Sequence, residues 1–299
     1  MAAHLKYLTQ EQIDKFYKDG YLVIPKLVDT ETTQALLARS KELLDELNVE
    51  EHPMTRFTTG EDNHVGDDYF LSSGDKIRYF FEEDAVVNGR LNRPKQRAVN
   101  KFGHGLHLLD PLFRRVTLEN DALRDVVCDL KFHREPVALQ SMVITKQPQI
   151  GGEVGEHNDS TFLYTSPPTA LGIWIALERC TAANGALSFL PGSHSTLATT
   201  PGLEKSGGIS KRFVRLRGGG TGFEKLGEEA KVEGEYALVE CEPGDTVLIH
   251  GTVLHKSPRN TGADTRFAYT FHMIDAASDV VYDDKNWLQP GEDGFAKVL

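Results

Sequence analysis

The chain has little cysteine, no excess of basic residues and no long apolar run, and each shortage excludes a class of function. Its three cysteines, at 128, 180 and 241, are odd in number, far apart and form no C-x-x-C pair. That argues against a disulfide framework and a cysteine-built zinc site, and fits reduced thiols inside a cell. Lysine and arginine number 33 against 44 aspartate and glutamate, a net charge of -11. Nucleic acid is therefore not an expected partner, since binding it requires clustered cations to neutralise phosphates. The one basic run, Lys211 to Arg217, reads as a solvated strand or loop face. No stretch approaches the ~20 apolar residues of a membrane span. Met1 to Lys6 lacks the apolar core of a secretory signal, and Ala296-Lys297-Val298-Leu299 is a poor peroxisomal tripeptide. The expectation is a cytoplasmic protein, monomer or homodimer, acting on a small molecule. Without repeats, linkers or low-complexity tracts, residues 1–299 read as one domain, with a helical part over about 9–130 and a β core over about 137–275.

Thr9-Gln10-Glu11-Gln12 forms a capping box before Ile13 and Phe16, with Gly20 as C-cap. Tyr21 to Pro25 reads as a short strand. Asp29 caps a second helix whose Leu36, Leu37, Leu43, Leu44 and Leu47 form an apolar stripe. Residues 50 to 68 and 84 to 98 read as loops. Between them Tyr69 to Glu82 is either an ordinary strand and turn or a wall of a substrate pocket, with Lys76 or Arg78 facing an acidic group. His104 and His107 read as core histidines ahead of a single helix over 110 to 129.

From residue 137 the texture turns to β. Ala138 to Lys146 and Leu171 to Leu177 are strands, and Asn184-Gly185 predicts a tight hairpin joining the second to Ala186 to Leu190. Residues 200 to 233 are Gly-rich and polar, an expected lid or surface loop. Tyr236 to Val239, Thr246 to Ile249 and Arg266 to Met273 complete the strands. Many short strands with tight turns predict a sandwich or barrel.

The chemistry centres on His157-Asn158-Asp159. In extended chain, side chains two apart point the same way, so His157 and Asp159 share a side and Asn158 faces away. With 11 histidines, roughly one H-x-D tripeptide is expected by chance, so context must support the reading. A second imidazole, His255, completes a facial triad that leaves half of an octahedral Fe(II) open. Arg266 follows on the next strand, where a hairpin can return it beside the metal. A guanidinium grips a carboxylate in bidentate fashion, and Ser257 can add a hydrogen bond. A dicarboxylate held there could chelate iron at its other end, as 2-oxoglutarate requires.

Phe70-Leu71-Ser72-Ser73-Gly74-Asp75-Lys76-Ile77-Arg78, Gly151-Gly152-Glu153-Val154, Pro191-Gly192-Ser193-His194, His255-Lys256-Ser257, Ala268-Tyr269-Thr270-Phe271-His272 and Asn286-Trp287-Leu288-Gln289-Pro290 resemble the phytanoyl-CoA dioxygenase family of Fe(II)/2-oxoglutarate oxygenases, over nearly the whole chain. The resemblance implies a mainly β fold, a double-stranded β-helix (a cupin-like jelly roll) with flanking α-helices. It implies iron held by His157, Asp159 and His255, and 2-oxoglutarate contacts at Lys101, Met142, Trp174, Ser257 and Arg266, with Asn158 near the cosubstrate. Read without the family, Lys101 is a surface residue and Met142 and Trp174 are core. It further implies a dioxygenase that uses O2, with ascorbate in support, to hydroxylate a small or lipid-like substrate while 2-oxoglutarate becomes succinate and CO2. Halogenation is disfavoured because Asp159 occupies the position a halide would need. The family's CoA-thioester hydroxylases carry a peroxisomal address, and none is found here. The competing reading is a catalytically silent cupin-like protein that binds metal or senses 2-oxoglutarate.

Overall fold

In the computed structural model, residues 4–60 and 63–298 are described; Met1 to Ala3 and Leu299, on which part of the reading of the termini rests, lie outside the described residues. Helix α1 (Gln10–Asp19) starts at the capping box: Gln12 N–H donates to Thr9 Oγ1 at 3.2 Å and Thr9 N–H to the Gln12 side chain at 2.9 Å. Gly20 ends it at φ 83°. Strand β1 (Tyr21–Ile24) follows, then α2 (Thr30–Glu46), capped by Asp29 with Leu36, Leu43 and Leu44 buried. Strands β2 (Ile77–Phe81) and β3 (Val99–His104) lead to helices α3 (Pro111–Leu118) and α4 (Asp121–Leu130). The single helix expected over 110 to 129 is thus two. Asn120 makes the break, because its side chain accepts from Leu123 N–H and caps a new helix instead of continuing the old one.

The β region runs β4 (Pro136–Ile144), β5 (Val154–His157), β6 (Leu171–Ala176) and β7 (Leu187–Phe189), then α5 (Ser193–Ala198). Then come β8 (Lys211–Arg215), β9 (Thr221–Lys225), β10 (Ala237–Val239), β11 (Thr246–His250), β12 (His255–Ser257), β13 (Ala268–Asp275) and β14 (Ala296–Lys297). An eight-stranded sheet has the order β1-β11-β6-β13-β4-β3-β2, with β14 beside β4; a four-stranded sheet has the order β10-β7-β12-β5. Every pairing in both is antiparallel. The chain steps repeatedly between the two sheets, which is the jelly roll that the resemblance implies.

One face of the large sheet packs on the helices, with Phe102, Val143, Ile173, Leu248 and Phe271 against Phe16, Leu36, Phe113 and Val126. The other face meets the small sheet, where Trp174, Val247 and Ile249 pack with Leu187, Phe189 and Val239. Covered on both sides, β6 is buried at every position, which is why Leu171 to Ala176 reads as an unbroken apolar run. No helix among the described residues is long and apolar enough to cross a membrane.

Two loop expectations change. The Asn184-Gly185 hairpin does not form: β6 pairs with β11 and β13, while β7 pairs with β10 and β12 in the other sheet. Asn184 instead accepts from Thr181 N–H at 2.7 Å and donates to Arg179 C=O at 2.8 Å, and Gly185 turns at φ 86° between the sheets. The positive φ is the one a hairpin would use, but long-range pairing chose other partners. Within the expected loop over 200 to 233, residues 211–225 form an ordered β8–β9 hairpin. Its Arg212, expected on a solvated face, is buried and paired with Glu224 and Asp283.

His104, His107, His133, His194 and His250 are all at most intermediate in exposure, and burial lowers the pKa of each, His107 to about 4 and His250 to about 3. Each is about 6.5 in the unfolded chain, so the unfolded state binds more protons below that pH. Their contribution to stability is therefore complete above pH 6.5 and is lost as pH falls towards the folded values. His107 and His250 alone would cost about 2 kcal/mol each by pH 5. The urea midpoint of metal-free protein should fall steadily from pH 6.5 to 5.

Candidate active site

His157 ends β5 and His255 begins β12, and the pairing of the two strands sets them directly opposite each other. Their ring centroids are 4.2 Å apart. Asn158 is extended, at φ -128° and ψ 150°, so Asp159 turns back to the same side as His157. Asp159 Oδ1 lies 3.7 Å from His157 Nε2 and 3.6 Å from His255 Nε2. Each ring is oriented from behind: His157 Nδ1–H donates to Gly155 C=O at 2.9 Å and His255 Nδ1–H to Val253 C=O at 3.1 Å. That tautomer leaves both Nε2 lone pairs facing Asp159. Burial and the neighbouring His255 lower the His157 pKa to about 4. Burial works to raise the Asp159 carboxyl, but the surrounding imidazoles more than offset it and hold it well below the usual carboxylate range. Two imidazole nitrogens and an ionised carboxylate, with ligand atoms all within 4.8 Å, fit a first-row divalent ion. A Cβ on Gly172 would lie 3.1 Å from Asp159 Oδ2, so glycine there keeps the sheet bare where the carboxylate approaches.

The triad opens into a cavity of about 660 Å3 between the sheets, and Lys101, Met142, Asn158, Trp174, Ser257 and Arg266 line the same cavity. Arg266 does not return by a hairpin, as β12 and β13 belong to different sheets. It precedes β13 by two residues, on the face that also carries Ala268, Thr270 and His272, and is 2% exposed. Among the described residues, its Nε and Nη1 and the Trp174 Nε1 are buried without a hydrogen-bond partner. Donors left so in a protein interior carry a large desolvation cost, and they fit an anionic ligand. Ser257 Oγ is engaged, donating to Gly185 C=O at 2.8 Å and accepting from Lys146 Nζ at 2.6 Å. Asn158 faces partly into the cavity, but its Oδ1 accepts from Thr161 N–H at 3.0 Å and caps a short helical turn.

Lys101 is buried, not on the surface. Its Nζ lies 3.4 Å from the centre of the Phe57 ring, and burial lowers its pKa to about 7. Lys76 and Arg78 do not line the cavity: Lys76 is exposed beside Asp75, and Arg78 is held by Tyr69 and Ser72. The aromatic wall comes from Phe162, 6.0 Å from His157, with Phe213 and Phe223 of the β8–β9 hairpin 5.6 and 6.1 Å from it.

The phytanoyl-CoA dioxygenase (PhyH) family model matches residues 16–268. The chain belongs to this family. It is 40% identical over 285 residues to the phytanoyl-CoA dioxygenase domain-containing protein 1 homolog of Dictyostelium discoideum, covering 94% of this chain and 96% of that one. With phytanoyl-CoA dioxygenase domain-containing protein 1 of Bos taurus it shares 41% over 293 residues, 95% of each. Among solved structures, SnoK, a non-heme alpha ketoglutarate dependent carbocyclase from nogalamycin biosynthesis, aligns with TM-score 0.61 at 18% identity over 98% of this chain and 97% of that one. EctD from S. alaskensis, solved with 2-oxoglutarate and 5-hydroxyectoine, aligns with TM-score 0.57 at 18% identity over 90% and 77%. At these identities the likeness speaks to the fold.

In this member of the family, two cavity residues escaped the reading of the sequence. His272 Nε2 lies 3.3 Å from Asp159 Oδ2, with Gln140 Nε2 3.4 Å from its Nδ1. Period-two parity from Arg266 would have found His272, since 266, 268, 270 and 272 share a face. The same parity from Met142 leads through Ile144 to Lys146, which also lines the cavity. His272→Leu should weaken metal binding by about tenfold, the usual cost of losing a group that orients a ligand. Calorimetric titration of metal-free protein with Mn(II) reads it; unchanged affinity would remove His272 from the site.

Proposed function

We propose that this chain is an Fe(II)- and 2-oxoglutarate-dependent oxygenase that hydroxylates a small or lipid-like molecule. What carries the reading is one cavity with a His-Asp-His set in its wall and, on its floor, an arginine with two unpartnered donors. His157, Asp159 and His255 would hold iron, and Arg266 the distal carboxylate of 2-oxoglutarate, with Lys101, Met142, Asn158, Trp174 and Ser257 around the cosubstrate. SnoN, an epimerase that shares the fold at 14% identity and TM-score 0.61, was solved with Fe3+ and alpha ketoglutarate, which supports this. Iron with 2-oxoglutarate and O2 supplies the oxidation, releasing succinate and CO2 as the substrate gains a hydroxyl.

The chain's own residues do the positioning. The carbonyls of Gly155 and Val253 keep both imidazoles in one tautomer. The Arg266 guanidinium gives the far carboxylate a fixed, two-pronged seat. Phe162, Phe213 and Phe223 give the substrate an apolar wall and exclude water from the metal side. The wall's composition supports a substrate with hydrocarbon surface.

Purified protein with Fe(II), ascorbate and 2-oxoglutarate should release succinate even without a prime substrate. No succinate with iron demonstrably bound would support the silent cupin-like reading instead. Arg266→Ala should raise the 2-oxoglutarate requirement about 100-fold, as losing one partner of a buried charge pair costs about 3 kcal/mol. Its iron affinity should stay within about threefold; loss of iron binding would give Arg266 a structural task.

A further inference from the structure

Beside Arg266 the cavity floor holds a second buried cationic side chain, Lys146, 2% exposed. Arg266 N–H donates to Lys146 C=O at 3.3 Å, two residues beyond the Ala268–Ile144 pair, so the two residues stand opposite each other where β13 begins and β4 ends. Lys146 Nζ donates to Ser257 Oγ at 2.6 Å and to Ser257 C=O at 3.3 Å. Once protonated, Lys146 has three N–H donors, and the third is left for a ligand in the cavity. Ser257 cannot fill that place. Its only proton goes to Gly185 C=O and its oxygen already accepts from Lys146.

The surroundings are built around this side chain. A Cβ on Gly185 would lie 2.5 Å from Lys146 Cε, so only glycine leaves room for it. Lys146 itself takes φ 23°, a backbone value that residues with a Cβ rarely adopt.

We propose that Lys146, held by Ser257, is a specificity-determining residue that grips the distal carboxylate of 2-oxoglutarate together with Arg266, selecting a dicarboxylate over a 2-oxo monocarboxylate. This rests on the Fe(II)/2-oxoglutarate reading. The charged groups facing Lys146 are Arg266, Glu82 and Glu153. Glu82 is itself buried, with Oε2 accepting from Asn100 and Gly152 and, among the described residues, Oε1 without a partner. Burial, then Arg266, lower the Lys146 pKa to about 6, against the opposing pull of the two glutamates. A carboxylate beside it raises that pKa, so binding takes up a proton near neutral pH.

The test uses manganese-loaded protein, titrated calorimetrically with 2-oxoglutarate and with 2-oxobutyrate, which has the same 2-oxo acid head but no distal carboxylate. Lys146→Met should weaken 2-oxoglutarate binding at least tenfold and 2-oxobutyrate binding less than twofold, and Lys146→Arg should recover most of the loss. Equal weakening of both ligands, or none, overturns the proposal. Should Lys146→Met fail to fold, wild-type protein still decides. Titration at pH 7.5 in buffers of different ionisation enthalpy should show uptake of nearly one proton with 2-oxoglutarate and almost none with 2-oxobutyrate. Equal uptake with both overturns it. Wild-type protein that holds manganese but does not bind 2-oxoglutarate overturns the oxygenase reading as well, an outcome distinct from a Lys146→Met variant that binds like wild type.

Discussion

The pairing of β12 with β5 is the contact on which the site depends. It places His255 opposite His157 although about a hundred residues separate them in sequence. Strand side chains alternate with period two, so a slip of one residue would turn an imidazole out of the cavity. Neighbours pin the register. β7 sets Phe189 opposite His255 on the other side, and the two rings stack with centroids 5.5 Å apart. The bulge after His255 then lets Ser257 face Val154 and reach Lys146 and Gly185. Asp159 needs no partner strand, since extended Asn158 and the helical turn it caps return the carboxylate to the same side.

The large sheet divides its labour between its two faces. The helix-covered face carries the main apolar core, from Phe16 and Leu36 across to Phe271 and Met273. Stability from that face lets the inner face carry groups that would otherwise be too costly to bury. Arg266, Lys146, Lys101 and His272 all stand there, beside small or apolar neighbours such as Ala268, Gly172 and Met142. Arg266 and Lys146 have little acidic compensation: Glu82 is the carboxylate that acts on both, and its own charge is disfavoured by burial. A buried arginine and lysine beside a metal-ligand set fit an anion that can reach both.

The same sequence signal met different fates in different places. Thr9, Asp29 and Gly20 acted as read, because a cap involves only neighbours within one turn. Asn120 acted as a cap too, but inside a stretch that otherwise reads as continuous helix. Asn184-Gly185 kept the backbone bend of a hairpin while its flanking strands went to different sheets. Lys101 reads as a surface residue from its charge, and only the Phe57 ring and the closure of the two sheets around it make it a buried one.

From the sequence alone came the caps, the apolar runs, the β-rich second half and the H-x-D pair, because these are properties of residues a few positions apart. The resemblance to the phytanoyl-CoA dioxygenase family supplied the jelly roll and the contacts at Lys101, Met142 and Trp174. Tertiary structure decided which strands pair, how Arg266 reaches the cavity without a hairpin, and that Ser257 spends its proton on Gly185 while accepting from Lys146. Those outcomes rest on sheet registers and on the sharing of hydrogen-bond donors between distant residues, which no local spacing encodes.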